Sequence, residues 1–187
     1  APPPAPAWDP PADTLFTAAF STGELSAWSA DREGVWSIRH GALRADLPDE
    51  KQERSFIYAG SDTWTDYALD VDVCQMRGVD KGAAVRVEGE SGIAVDLRGP
   101  GYHDILLNRR EWPMGHARIE NGNGAWHHLR IEARGPRYRV FVNGKLVIDR
   151  VDASRRALKG RIALAAYTGG IGQCTVYYDN VVVTKLE

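Results

Sequence analysis

The sequence predicts an all-β domain, two antiparallel sheets packed as a sandwich, on three observations. Between Trp126 and Arg134, apolar Leu129, Ile131 and Ala133 alternate with Arg130, Glu132 and Arg134. That period of two sends successive side chains to opposite faces of a strand. Next, Tyr138 to Val142 and Lys145 to Asp149 flank Asn143-Gly144, the dipeptide that supplies the positive φ angles of a two-residue hairpin turn. Finally, no stretch of the chain carries the apolar period of a long helix.

Composition agrees with this reading. The chain has 187 residues, 43% of them hydrophobic, enough for one domain with its own core. Its 19 Gly and 10 Pro supply the frequent turns of an all-β chain. The formal net charge is −2, and the 23 Lys and Arg are scattered, so the expectation is no nucleic-acid partner and no anionic membrane surface. No apolar run approaches the roughly 20 residues of a membrane span.

In chain order, Ala1-Pro2-Pro3-Pro4-Ala5-Pro6-Ala7 suits neither helix nor sheet. Residues 1–13 are therefore expected to form an extended, solvated arm or linker, and residues 14–187 a single domain. The Ala-Pro start, without Met or an apolar signal core, reads as a mature chain after signal removal or as a boundary cut into a longer one. The expectation drawn from it is a secreted or periplasmic protein.

Thr14 to Phe20 opens the domain, and Val35 to Ile38 with Ala42 to Arg44 reads as a hairpin about His40-Gly41. Leu47 to Glu53 is charged and reads as a loop before the strand Ser55 to Ala59. Tyr67 to Val73 alternates most cleanly, with Leu69, Val71 and Val73 inward and Asp70 and Asp72 outward. Gly82 to Val87 and Gly92 to Leu97 follow, then the Gly99-Pro100-Gly101 turn and Asp104 to Leu107. Glu111 to Gly124 reads as looser chain. Gly160 to Tyr167 and Cys174 to Thr184 are the last strands. So many strands exceed one flat sheet and should fold into a jelly-roll sandwich, with a ligand trough on the outer face of one sheet.

Cys74 and Cys174 are too few for a zinc site or a disulfide scaffold. If their strands pair with Cys74 opposite Cys174, Asp70 lies opposite Tyr178, Val73 opposite Thr175, and a disulfide is possible. Two buried thiols is the other reading.

Specific segments carry a family likeness. They are Phe20-Ser21-Thr22-Gly23-Glu24-Leu25-Ser26-Ala27-Trp28, Trp36-Ser37-Ile38-Arg39-His40-Gly41-Ala42-Leu43 and Trp64-Thr65-Asp66-Tyr67-Ala68-Leu69. Gly82-Ala83-Ala84-Val85-Arg86, Trp126-His127-His128-Leu129-Arg130-Ile131, Val142-Asn143-Gly144-Lys145, Gly160-Arg161-Ile162-Ala163-Leu164 and Tyr178-Asp179-Asn180-Val181 continue it. From about Phe16 onward the chain resembles the concanavalin A-like lectin/glucanase superfamily of jelly rolls. Within it, the pattern is closest to laminin G-like modules and to the 3-keto-disaccharide hydrolase (3-keto-glucoside lyase/hydratase) domain. The resemblance implies a sugar-facing scaffold. Where keto-sugar enzymes carry Asn-Ser-Gly-Ile before the arginine of the middle strand, this chain keeps only Arg86. The Glu-x-Asp-x-x-Glu of laminarinase-type hydrolases and the Gln-Ile-His of alginate-lyase types are absent. The resemblance also implies a structural calcium between the first loop and the last strand, with Asp179 as ligand. Thr17, Ala18 and Ala19 stand where first-loop acids often occur, leaving Glu24 or backbone carbonyls.

The candidate chemistry is a polar and aromatic surface. Asp70 and Asp72 share a strand face, as paired glycosidase carboxylates do, and as any half-exposed strand does. Asp96 and Asp104 lie on successive strands joined by Gly-Pro-Gly and are expected to converge with Arg86, whose planar guanidinium suits sugar hydroxyls or a carboxylate. Arg109 ends the next strand. Tyr102 and Trp112 sit in loops as stacking candidates for sugar faces. His103, next to Asp104, is a candidate general base oriented by a carboxylate. The expected function is an extracytoplasmic carbohydrate-binding, lectin-like module for a glycan or oligosaccharide. It would bind through Arg86, Asp96, Tyr102, Arg109 and Trp112. The alternatives are an enzyme of the 3-keto-disaccharide hydrolase type using Asp104 or His103, and a laminin G-like protein-interaction module.

Overall fold

The computed structural model describes residues 1–109, 112–155 and 157–187, and their regular secondary structure is almost wholly strand. In chain order these are β1 (Thr14–Ala18), β2 (Ser29–Ala30), β3 (Trp36–Arg39), β4 (Ala42–Asp46), β5 (Arg54–Ala59), β6 (Tyr67–Gly78), β7 (Asp80–Glu88) and β8 (Ser91–Arg98). After these come β9 (Asp104–Arg109), β10 (Trp112–Arg118), β11 (Trp126–Arg134), β12 (Arg137–Val142), β13 (Lys145–Val151), β14 (Arg161–Tyr167) and β15 (Cys174–Lys185). A short 3-10 turn spans Phe20–Thr22.

The strands form two antiparallel sheets. The back sheet runs β13-β12-β11-β6-β15-β4-β3, with β1 continuing along β15 beyond β4. The front sheet runs β10-β9-β8-β7-β14-β5-β2. No helix among the described residues is long and apolar enough to cross a membrane. The expected sandwich is present, and the alternation of β6, β8, β11 and β12 places Leu69, Val71, Val73, Val95, Leu97, Leu129, Ile131 and Val140 in the core between the sheets. Burial of such side chains is the main stabilising term, about 1.5–3 kcal/mol each when complete.

Polar ties fix one sheet on the other. Tyr178 of β15 crosses the core, where its hydroxyl accepts from the Gly82 N–H (2.8 Å) and lies 2.6 Å from the Ala165 carbonyl of β14. Tyr67 of β6 does the same at the other end: its hydroxyl accepts from the Arg86 N–H (2.6 Å) and donates to the Gly160 carbonyl (2.8 Å). Burial raises the pKa of both phenols, so they stay protonated and able to donate.

Arg86 departs from the sequence expectation. The β7–β8 register shifts between Val85 and Glu88, and Arg86 takes φ 52° in that bulge. The extra residue turns Arg86 inward and sends Val87 to the outer face beside Ala84. Arg86 is 1% exposed. Its guanidinium donates to Asp66 (2.9 Å), the Tyr138 hydroxyl (2.9 Å), and the carbonyls of Thr65, Gly135 and Ala157. It therefore clasps the end of the sandwich and is not available to a sugar.

The cysteine register also differs. Tyr177 faces Cys74, Gly78 faces Cys174, Val182 faces Asp70 and Tyr178 faces Val73. The two bulges in β15, between Thr175 and Val176 and between Asp179 and Val182, cancel each other, so the whole pairing is displaced from the expected one. Both thiols are free and buried, Cys174 in the core and Cys74 on the outer face with Ala42 and Tyr177. Of the looser segment expected from Glu111 to Gly124, Trp112–Arg118 is a strand paired with β9, while Glu111 lies outside the described residues.

On the outer face of the back sheet, His128 lies between two carboxylates of β6. Its Nδ1 is 2.8 Å from Asp72 and its Nε2 is 2.8 Å from Asp70. The outward Asp70 and Asp72 of the sequence thus hold an imidazolium. Hydrogen bonding to Asp70 and then to Asp72 raises the His128 pKa to about 9.

Two outcomes follow from these contacts. Arg86→Leu leaves Asp66 and several carbonyls without their donor, so it is expected to lower stability by about 3–5 kcal/mol in urea titrations. Since the folded pKa of His128 lies above the ordinary 6.5, its contribution is complete below that value and disappears as pH rises through about 9. His128→Gln should therefore be less stable than the native chain near pH 6 and indistinguishable from it well above pH 9.

Candidate functional site

The outer face of the front sheet holds a groove of about 740 Å³. Its floor is the small side chains Ala84, Ala94 and Ala163, which face outward from β7, β8 and β14. Small residues in register across three central strands leave a depression, and larger ones flank it. Phe56 and Tyr58 of β5 stand on one side, their rings 6.3 Å apart. Trp112, 66% exposed, stands on the other. Arg161 lies 4.5 Å over the Tyr58 ring, which orients it. An apolar floor between aromatic walls suits the faces of sugar rings.

Farther along the same face of β7 and β8 the surface becomes acidic. Asp80 and Asp96 are on neighbouring strands, offset by one pleat: Gly82 opposes Asp96, and Asp80 opposes Arg98. Burial raises the pKa of both carboxyls. The charge of Asp80 raises Asp96 further, so of the two carboxyls Asp96 is the one pushed well above the ordinary range. Gly169, at φ 56°, packs over the Asp80 carboxylate; a Cβ there would lie 2.7 Å from it.

Arg98 and Asp104 pair directly across the β8–β9 turn. The guanidinium grips the carboxylate through two bonds of 2.8 and 2.6 Å, and His116 Nε2 on β10 lies 3.0 Å from the same carboxylate. Arg98 first, and His116 next among the groups that favour the charged form, hold Asp104 below the ordinary carboxylate range. Tyr102 covers the cluster, with Arg98 4.2 Å from its ring centre. Lys81, on the opposite face of β7, donates to Asn121 (2.7 Å), and burial lowers its pKa to about 8.

The structure thus brings Asp96, Asp104 and Tyr102 together, with Trp112 on the same face. Arg86 is replaced in that group by Arg98, because the bulge takes Arg86 into the core. His103 is not the histidine that Asp104 orients. It lies in the turn before β9, at φ 48°, with Nδ1 3.3 Å from Glu120. The oriented histidine is His116, which β-pairing brings back from twelve residues downstream. Arg109 has the inward parity of Ile105 and Leu107, and it faces Asp152 at 3.5 Å, away from the acidic cluster.

Asp179 does not fit the expected calcium. Its carboxylate accepts from the Asn180 N–H, and its acidic neighbour Asp72 is held by His128 and Asn180. No cluster of three or more His, Cys, Asp or Glu suited to a metal occurs among the described residues. Asp80, Arg98 and His116 were not foreseen. The period-two pattern puts Asp96 and Arg98 on one face, but only the strand pairing shows that Asp80 and His116 join them.

Comparison with known proteins places this geometry. The model of the 3-keto-alpha-glucoside-1,2-lyase-like domain matches residues 15–184. No curated protein matches the chain in sequence. Among solved structures, the carbohydrate-binding module CBM66 from Bacillus subtilis is similar at 17% identity and TM-score 0.72, over 85% of this chain and 96% of its own. The exoplasmic/lumenal domain of VIP36, bound to Ca2+ and Man3GlcNAc, is similar at 14% identity and TM-score 0.69, over 91% of this chain and 88% of its own. The Crh5 transglycosylase is similar at 14% identity and TM-score 0.71, over 97% and 90%. These likenesses show a shared jelly-roll fold.

The carboxyl pair has a measurable signature. Between the ordinary carboxylate value near ~4 and the raised values of the folded pair, the folded chain binds more protons than the unfolded one. The pair therefore makes stability fall as pH rises through that window. Asp96→Asn removes the more strongly raised of the two groups, so the slope of urea midpoint against pH is expected to flatten there. An unchanged slope would mean that Asp96 titrates in the folded chain as an ordinary carboxyl does.

Proposed function

Because the chain belongs to the 3-keto-alpha-glucoside-1,2-lyase-like family, we propose that it binds a glycoside in the front-sheet groove and eliminates its aglycone by proton transfer. The observation that carries this reading is the placement of Asp80 and Asp96 on neighbouring strands of the same face as the aromatic-walled groove, where burial raises both carboxyl pKa values. With Asp96 raised well above Asp80, Asp80 is the carboxylate that can accept a proton and Asp96 the carboxyl that can give one.

In a 3-keto-glycoside, the carbonyl at C3 acidifies the hydrogen on C2. The carboxylate of the pair takes that proton. The C2–H electrons become the C1–C2 double bond, the C1–O bond breaks, and the departing oxygen receives the proton from the carboxyl partner. The products are the free alcohol and an unsaturated keto sugar. Negative charge develops on the C3 oxygen meanwhile, and Arg98, held rigid by Asp104 and already facing the pair, is the cation that stabilises it. Phe56, Tyr58 and Trp112 hold the ring faces.

A binding-only reading rests on the exposed Trp112 and the groove walls, which would serve a lectin equally well. One experiment separates the two. A 3-keto-glucoside with a chromogenic aglycone should release it in the presence of the native chain, while the matching unoxidised glucoside should not react. Asp96→Asn should lower kcat by about 100-fold or more with little change in KM, as expected for loss of a proton-transfer group. Groove binding without turnover would leave a lectin, and turnover unaffected by both Asp80→Asn and Asp96→Asn would remove the assigned chemistry.

A further inference from the structure

The arm at residues 1–11 does not float in solvent. It lies on the outer face of the back sheet, on the opposite side of the sandwich from the groove. The indole N–H of Trp126 on β11 donates to the Pro3 carbonyl (2.8 Å). The Asn180 side-chain amide on β15 donates to the Pro6 carbonyl (2.9 Å). The two accepting carbonyls are three residues apart. Burial shows the same interval: Pro2, Ala5 and Trp8 are half-buried, while Ala1, Pro3, Pro4, Pro6 and Ala7 are exposed.

Three residues per turn is the repeat of the polyproline-II helix, in which positions i and i+3 share a face about 9 Å apart. Proline carbonyls in that helix have no internal hydrogen bonds and accept readily. An aromatic indole donor and an amide donor at one-turn spacing therefore form a reader for this conformation. The reader is also held in place. Trp126 packs on Cys74 and Tyr177. Asn180 stands in the β15 bulge at φ 54°, and its amide also donates to Asp72 (2.8 Å), which His128 fixes from the other side. Beyond Pro6, the arm and the sheet line a half-open pocket of about 620 Å³, to whose wall Trp8 contributes.

We propose that the outer face of the back sheet is a recognition surface for polyproline-II segments, read by Trp126 and Asn180, and that residues 1–11 of the same chain occupy it. Proline-rich segments of other proteins that present backbone carbonyls at every third position are then the class of partner able to displace the arm. This surface is independent of the glycoside reading, since it shares no residue with the groove.

The test is exchange of the tryptophan indole protons into D2O, followed by NMR on the full-length chain. The Trp126 indole proton should exchange more slowly than that of exposed Trp112. Asn180→Ala, which touches the other carbonyl, should speed Trp126 exchange about fivefold or more by loosening the whole arm, the size expected for one hydrogen bond. Pro3→Gly with Pro6→Gly leaves the reader intact and should do the same, and the free peptide of residues 1–11 added to that variant should restore protection. The proposal fails if Trp126 exchanges as fast as Trp112, or if neither set of substitutions changes its rate. It also fails if the peptide restores nothing, or if protection fades on dilution, which would mean that the arm comes from a second molecule.

Discussion

The architecture depends on a small number of polar contacts made across an apolar interior. Tyr67 and Tyr178 rise from adjacent strands of the back sheet and place their hydroxyls against backbone groups of β7 and β14. Tyr67 acts at an irregular part of the front sheet, where the β7–β8 register shifts and the Arg86 amide donates to the phenol oxygen. An unpaired buried amide costs on the order of 1–3 kcal/mol, so this phenol makes tolerable an irregularity that a uniform sheet would forbid. The bulge in turn decides which face receives Arg86 and which receives Val87. The edge of the groove at Val87 thus depends on a hydroxyl from the far side of the core.

Charge is divided between the two outer faces in contrasting ways. The back sheet carries a nearly neutralised lattice: Asp70, Asp72, His128, Arg130, Glu132 and Arg139 are joined by short contacts, and each carboxylate meets a cation. The front sheet instead gathers Asp80, Asp96 and Asp104 about one arginine, with the Arg98 guanidinium already committed to Asp104. Burial and the crowding of like charges there push the carboxyls of Asp80 and Asp96 up.

The sequence made the scaffold legible because strand periodicity is a local signal. Alternation in β6, β8 and β11, and Asn143-Gly144 between β12 and β13, needed no knowledge of partners. The site was half legible for the same reason. Asp96, Tyr102, Asp104 and Trp112 lie in or beside strands whose facing could be counted. What counting could not reach was any place where the pleat changes phase. Arg86 sits in such a bulge and reverses its face. The cysteine register was out of reach because alternation tells which face a residue takes, not which residue of the partner strand it opposes. His116 and Asp80 were hidden for a different reason: each becomes a neighbour of its partner only through strand pairing. For the docked arm the sequence predicts solvation, because a proline run announces its conformation but not the surface that receives it.

The placement of the two cysteines has a consequence for where such a domain can work. With one sulfur in the interior and the other beneath Trp126 on the far side of the same sheet, no intramolecular bridge can form without dismantling the strands between them. The fold therefore has no covalent crosslink to gain in an oxidising compartment and none to lose in a reducing one, and its integrity rests on noncovalent packing in both.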